Sequence, residues 1–556
     1  MTHIGAVNVT TKPYNADSVS DSQLSWSIPT PSVRVGLDRR IDMDIQFDVA
    51  CPGFNVSEAN LNSTTAGLRQ YPVHASAETM NCRLNDQSLT WEPREVIHSL
   101  LSYGNDVEDR QHFMSATAHK PDIYWTFAQL GGNAGDRNPL GTFFNSGDED
   151  SRNLKFYVLS VMPPDHPTVG FTNTYLRFRV VETLMMSPFY WGKNSHQCLF
   201  GIQNFDFTII FSKLFRMLCG TQDGWFAAPG GVFPGGNLGA LRVRLVPNQT
   251  AQKLHITFVT PQPDIEIPSV LHYPYYAIKS YGTDLSPTLG GGETIKQVNF
   301  NNINVHEIPK RAYIFVAPRK FNSDANMLYL PDFCARIDSL NMNFDNMDGR
   351  FSSLDSYDLC KLSQKNGLKR SWLEWNKTIG SVLCLEFGTD ITLSPLCAPG
   401  VRGSFQLSFT LNISDLRETG EPGLDYRLYL VLVPEGVLTV ENSLVSISVG
   451  SLTEQDIADA PTAKPGTRLG VSSFTGSGFG DVIKKGWNFV KKIIPFAGPV
   501  MRGVSTIANL VPHPAGKAIG TVSNIGATAL GSGRKKKGGR RSGGALLRSS
   551  SLASRI

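Results

Sequence analysis

The stretch Ile41-Asp42-Met43-Asp44-Ile45-Gln46-Phe47-Asp48-Val49 alternates apolar and polar residues without a slip. Successive side chains on a strand point to opposite faces, so a period of two is the signature of a half-buried strand. Ile41, Met43, Ile45, Phe47 and Val49 are expected to face a core, and the acids to face water. Similar signals recur at 155–162, 175–183, 205–211, 241–246, 254–259, 312–316, 381–387, 405–413, 426–433 and 438–447. Gly, Pro, Asn and Asp punctuate them. Many short strands in a chain with 51 Gly and 33 Pro argue for all-β antiparallel sandwiches, not a βαβ fold.

Helical patterning is scarce before residue 478. The candidates are 93–103, opened by Pro93 and closed by Gly104, and 354–366, followed by Gly367. Each stands after the same arrangement. Met80, Cys82 and Leu84 alternate before the turn Asn85-Asp86-Gln87; Leu340, Met342 and Phe344 alternate before Asp345-Asn346-Met347-Asp348-Gly349. The spacing of about 260 residues suggests one strand-rich unit duplicated. The 556 residues accordingly divide into an N-terminal arm (1–29), two sandwiches (30–265 and 266–450), a linker (451–478), an amphipathic helical segment (479–512) and a basic Gly/Ser-rich tail (513–556).

Charge divides the chain as sharply. Residues 482–556 hold 14 Lys and Arg and no acid, which leaves 38 basic against 48 acidic residues before them. An acidic body with a cationic tail points to nucleic acid or an anionic membrane. Within 479–494, apolar residues recur at helical spacing around Trp487, Phe489, Val490 and Ile494, while Lys484, Lys485, Lys491 and Lys492 take the other face. That composition suits an interfacial membrane helix, and equally a helix docked under its own domains. Arg534, Lys535, Lys536, Lys537, Arg540 and Arg541 sit among Gly, Ser and Ala. Such a cluster binds phosphate without reading sequence, since it offers no aromatic for base stacking. It also matches a nuclear-localisation signal, and a purely solubilising tail has the same composition.

Local signs of chemistry are missing. His-Glu-x-x-His, the P-loop pattern and Gly-x-Ser-x-Gly do not occur, and His306-Glu307 lacks a second histidine one turn on. Gly131-Gly132-Asn133-Ala134-Gly135 reads as a loop. The carboxylates of Gly147-Asp148-Glu149-Asp150 read as solvated. Eight cysteines without a Cys-x-x-Cys read as buried free thiols. The expectation is no enzyme, no cofactor and no metal. With mean hydropathy −0.15, no long uncharged apolar run and no basic-apolar start, a soluble, intracellularly made protein is expected. The six Asn-x-Ser/Thr triplets then read as chance matches.

Several short stretches carry a resemblance: Asn138-Pro139-Leu140-Gly141, Ser187-Pro188-Phe189-Tyr190-Trp191-Gly192, Tyr273-Pro274-Tyr275-Tyr276, Lys365-Asn366-Gly367, Gly380-Ser381-Val382-Leu383-Cys384-Leu385-Glu386-Phe387-Gly388 and Val433-Pro434-Glu435-Gly436. Over about 20–450 the chain resembles the double-jelly-roll major capsid proteins of small icosahedral viruses. The resemblance implies two tandem jelly rolls, a homotrimeric capsomer and a shell lattice. It implies residence in the virion, after assembly in host cytoplasm or nucleus, and no catalytic residues. The tail would then face inward, holding viral nucleic acid non-specifically, an anionic membrane, or both. Two other classes fit a two-domain β-sandwich: a carbohydrate-binding protein or glycan-active enzyme, and a membrane-penetrating accessory capsid protein.

Overall fold

The computed structural model describes residues 6–32, 34–61, 66–104, 155–159, 174–189, 198–212, 214–220, 222–263, 267–319, 332–345, 347–394, 397–417 and 419–450. All lie in the first of the chain's two units, Met1–Lys492; the second is Ile493–Ile556. The expected linker, amphipathic segment and basic tail fall outside the described residues.

The first roll has eight principal strands: β1 (Ala6–Asn15), β2 (Gln23–Pro29), β3 (Gly36–Ala50), β4 (Ala77–Leu84), β5 (Gln87–Trp91), β6 (Tyr175–Thr183), β7 (Asn204–Phe211) and β8 (Lys253–Pro261). They form two antiparallel sheets, β1-β8-β3-β6 and β2-β7-β4-β5, extended at their edges by Lys155–Leu159 and Ser18–Val19. The second roll has β9 (Lys279–Asp284), β10 (Thr294–Glu307), β11 (Arg311–Pro318), β12 (Arg336–Phe344), β13 (Met347–Arg350), β14 (Val382–Glu386), β15 (Arg402–Ser414) and β16 (Tyr426–Val433). Its sheets are β9-β16-β11-β14 and β10-β15-β12-β13. Strand for strand this is the first roll again: a double jelly roll.

The duplication extends to turns and helices. The β4–β5 turn places Asn85 at φ 53°, and the β12–β13 turn places Asp345 at φ 45°. Asn and Asp tolerate this left-handed geometry, which tight hairpins require. A helix follows in each roll: α1 (Ile97–Gly104) and α2 (Ser356–Lys365). The chain already turns at Pro93, whose carbonyl accepts from Val96 and Ile97, but the α-helix itself starts later than expected. Asp355 caps α2, accepting from the Asp358 amide at 2.9 Å. Gly367, at φ 102°, ends it, and the Leu368 amide reaches back to the Ser363 carbonyl.

Two expectations need correction. Residues 1–29 are no arm over the described part: β1 pairs with β8 along its length, and β2 pairs with β7. Leu24, Trp26 and Ile28 are buried at period two, with Trp26 stacked on Phe207 at 5.9 Å. Ser and Thr on the outward positions made the segment look loose. Likewise, the acids of β3 do not all face water. Asp44 and Asp48 are each 2% exposed. Arg179 grips Asp44 with two hydrogen bonds (2.8 and 2.6 Å), and Arg177 grips Asp48 likewise (2.7 and 2.9 Å). Strand alternation fixes the face, while cross-strand arginines decide how dry a carboxylate there becomes.

Because Trp26 is core, Trp26→Ala should cost about 3–5 kcal/mol by chemical denaturation. An unchanged midpoint would return residues 1–29 to the status of an arm.

Candidate assembly interface

Over strands β11, β14 and β16 the second roll's β9-β16-β11-β14 sheet is apolar on its inner face and at the centre of its outer face. Register assigns Ala312, Ile314, Leu383, Leu385, Leu430 and Leu432 to the inner face, where they join the second roll's core. On the other face lie two cross-strand rows, Cys384-Tyr313-Val431 and Val382-Phe315-Tyr429. All six are 5% exposed or less, though none belongs to that core. In the first roll the equivalent outer face is charged: Arg40, Asp42, Asp44, Asp48, Arg177, Arg179 and His255.

Helix α1 of the first roll seats on the apolar face. The Tyr103 ring lies 4.9 Å from that of Tyr313, and its hydroxyl donates to the Val382 carbonyl. Ser99 Oγ lies 3.8 Å from Cys334 Sγ. Beside α1, Asp332 of the second roll meets three first-roll cations or potential cations: Arg69 Nη1 at 3.3 Å, His98 Nε2 at 3.2 Å and Arg216 Nη2. All four side chains are buried. Burying a lone carboxylate or guanidinium is costly, so these charges hold the rolls in one register. Within the second roll the backbone beside Asp332 is tightly packed: a Cβ on Gly380, at φ 91°, would stand 1.8 Å from the Cys334 carbonyl oxygen.

A second contact comes from the sheet of Val270–Tyr276, Glu435–Glu441 and Leu444–Val449. Its turn, Asn442-Ser443, meets the first roll's β4–β5 turn. Asn85 Nδ2 donates to the Ser443 carbonyl at 2.6 Å, and the Val445 amide donates to Asp86 Oδ1 at 3.2 Å. The Phe200 amide donates to the Tyr273 hydroxyl at 2.9 Å, and the Tyr276 amide to Ser187 Oγ at 3.0 Å. Arg39 donates to the Pro188 carbonyl, and burial lowers its guanidinium to about 10.

With this geometry in hand, comparison is informative. The profile of the Sputnik virophage major capsid protein first domain matches residues 2–224, and that of the major capsid protein V20 C-terminal domain matches 278–379. Protein V20 of Sputnik virophage is 24% identical, covering 99% of this chain and 94% of its own. The cryo-EM structure of Sputnik virophage superposes with TM-score 0.71 at 22% identity, over 89% of this chain and 95% of that one. The mavirus major capsid protein gives 0.61 at 16%, over 83% and 94%. The chain is a double-jelly-roll major capsid protein. The first profile begins at residue 2, in line with strands β1 and β2 belonging to the roll.

For this capsid protein the expected site residues all lie outside the described residues: Arg534, Lys535, Lys536, Lys537, Arg540 and Arg541, and Lys484, Lys485, Trp487, Phe489, Val490, Lys491, Lys492 and Ile494. Among the described residues, no three His, Cys, Asp or Glu cluster as metal ligands. A small cleft lies between Thr90, Trp91, Glu92, Ile278 and Ser280, with Glu92 its one titratable wall residue. The inter-roll joint was missed, although its signal is present. Tyr426-Arg427-Leu428-Tyr429-Leu430-Val431-Leu432-Val433 is apolar at nearly every position, unlike 41–49. That is how a strand covered on both faces reads.

Burial pushes the Cys384 thiol up from 9.0 to about 12, and raises the Tyr313 and Tyr429 phenols from 10.0. Groups with raised folded-state values stabilise fully below their unfolded values, and that contribution is lost as pH rises through the folded ones. The thermal midpoint should therefore fall between pH 9 and about 12. Val382→Lys should cost several kcal/mol at neutral pH, on the scale of an unpaired buried charge (about 3–5 kcal/mol). A flat pH profile and a tolerated lysine would mean that this face is wet.

Proposed function

We propose that this chain builds the shell of an icosahedral virus of the virophage kind, as homotrimers of six jelly rolls arranged in a lattice. The observation that carries the reading is the joint between two rolls of one topology. A chain that stacks its own two rolls through helix α1 holds a repeatable building contact, and the matched proteins are capsid proteins. The family argues against the carbohydrate-binding alternative.

Within that shell, the segment 534–541 holds the genome from inside through Arg534, Lys535, Lys536, Lys537, Arg540 and Arg541. The acidic body would repel a polyanion, so the cations of the tail are what bring one in. The segment 479–494 binds anionic bilayer through Trp487, Phe489, Val490 and Ile494, with its lysines at the headgroups.

Electron microscopy of the purified chain should show capsomers or shells. Replacing the six tail cations by Ser should leave particles but empty them of nucleic acid. The intact tail should bind single strands with a log–log salt slope of about −4, from six phosphate contacts at about −0.7 each. Trp487→Ser should weaken liposome binding and spare nucleic acid. Normal packaging by the Ser variant would refute the genome role, and unchanged vesicle binding by the Trp487 variant the membrane role.

A further inference from the structure

The three-stranded sheet of Val270–Tyr276, Glu435–Glu441 and Leu444–Val449 has one face left largely open among the described residues. Its inner side chains Leu271, Tyr273, Leu438, Val440 and Val445 are buried, and Tyr273 and Val440 meet Phe200 and Gly201 of the first roll. Register puts three cross-strand rows on the opposite face: Pro274-Val437-Ser448, His272-Thr439-Ser446 and Val270-Glu441-Leu444. Val437 is 41% exposed there and Leu444 65%. Five large apolar side chains stand this far out among the described residues, and two of them share this small face. The three strands hold Glu435 and Glu441, both exposed, and no lysine or arginine.

Resting on the membrane reading of the segment 479–494, we propose that residues 479–492 dock on this face of their own chain, and that a bilayer must compete them away. Charge and size of the two surfaces agree. The segment brings Trp487, Phe489 and Val490 to the apolar positions Pro274, Val437 and Leu444, and Lys484, Lys485, Lys491 and Lys492 to the two glutamates. As a helix at about 1.5 Å per residue it is about 21 Å long and about 10 Å wide. A strand as long as Val270–Tyr276 runs about 23 Å, and three strands about 4.8 Å apart present a face about 10–14 Å across. One helix covers one such face. The chain leaves this same sheet at Gly450, so the linker 451–478 begins at the dock. At roughly 3.3 Å per extended residue the linker reaches well past the sheet, which makes the contact an intramolecular one.

Other occupants fit this face less well. Glu435 and Glu441 repel an anionic bilayer or a nucleic acid, and a like face from a second copy would set glutamates against glutamates. The dock also answers a difficulty that a membrane-seeking segment creates. Trp487, Phe489 and Val490 left in water on every unassembled chain would form a patch prone to aggregation. Seated on the sheet they are covered, and so are Val437 and Leu444. The same apolar stripe serves the sheet and the membrane, so the two contacts exclude each other. Binding to a bilayer thereby acquires a threshold: the surface must offer deeper apolar burial and more negative charge than this sheet does.

The test has two arms, both in the full-length chain. Carbodiimide joins a carboxylate to an amine only where the two touch. Mass spectrometry should find Glu435 or Glu441 joined to Lys484, Lys485, Lys491 or Lys492, within single chains when light and heavy isotope-labelled protein are mixed. Trp487→Ser with Phe489→Ser keeps every one of those glutamates and lysines, yet should remove the cross-links. In the second arm, Val437→Ser with Leu444→Ser leaves the charge unchanged. It should raise affinity for phosphatidylserine–phosphatidylcholine vesicles about tenfold, the scale of one large side chain's lost burial. Cross-links between light and heavy chains would overturn docking within a chain in favour of a second copy. Cross-links that survive Trp487→Ser with Phe489→Ser, or that favour Glu435 and Glu441 no more than the exposed Glu58, would overturn the seat itself. Vesicle affinity unmoved by Val437→Ser with Leu444→Ser would overturn the competition. If the unaltered chain binds no vesicles, the membrane reading fails and the cross-links alone decide the dock, so the two failures stay distinct. Thermal unfolding checks that the sheet variant is folded; if it is not, Leu444→Ser alone carries the same prediction.

Discussion

A sheet region that is apolar on both faces cannot border water, and strands β11, β14 and β16 form such a region at the centre of the β9-β16-β11-β14 sheet. Its second face, built from Tyr313, Phe315, Val382, Cys384, Tyr429 and Val431, is dry in the folded chain. At about 1.5–3 kcal/mol per large buried side chain, that face contributes on the order of 10 kcal/mol before ordering costs. The second roll is therefore completed by the first, and the two are parts of one folding unit.

Polar contacts then select a single arrangement from those that apolar contact alone would allow. Asp332 must find Arg69, Arg216 and His98, and Asn85 must find Ser443. A slide of one roll on the other would strand a buried charge at several kcal/mol. For a shell component this matters: a lattice magnifies small errors in the angle between rolls.

Much of the fold was legible because it rests on periodicity. The alternation at 41–49, the Asn85 and Asp345 turns and the two helices some 260 residues apart all express local rules that the structure repeats. Residues 6–29 were misread because their Ser- and Thr-rich outward positions mask Leu24, Trp26 and Ile28, and their strand partners lie more than 170 residues away. The joint was illegible for a different reason. His98, Asp332 and Arg216 are ordinary polar residues in sequence, and only the packing of two domains brings them together. The strand 426–433 did advertise a second dry face, but not what would cover it.

The central claim is that the two rolls are thermodynamically one. Scanning calorimetry of the full-length chain tests it most directly, combined with Tyr103→Ala to loosen α1 from Tyr313. The account predicts one cooperative transition for both rolls in the unaltered chain, split or lowered as a whole by the substitution. Two independent transitions in the unaltered chain, with Tyr103→Ala shifting neither, would contradict it.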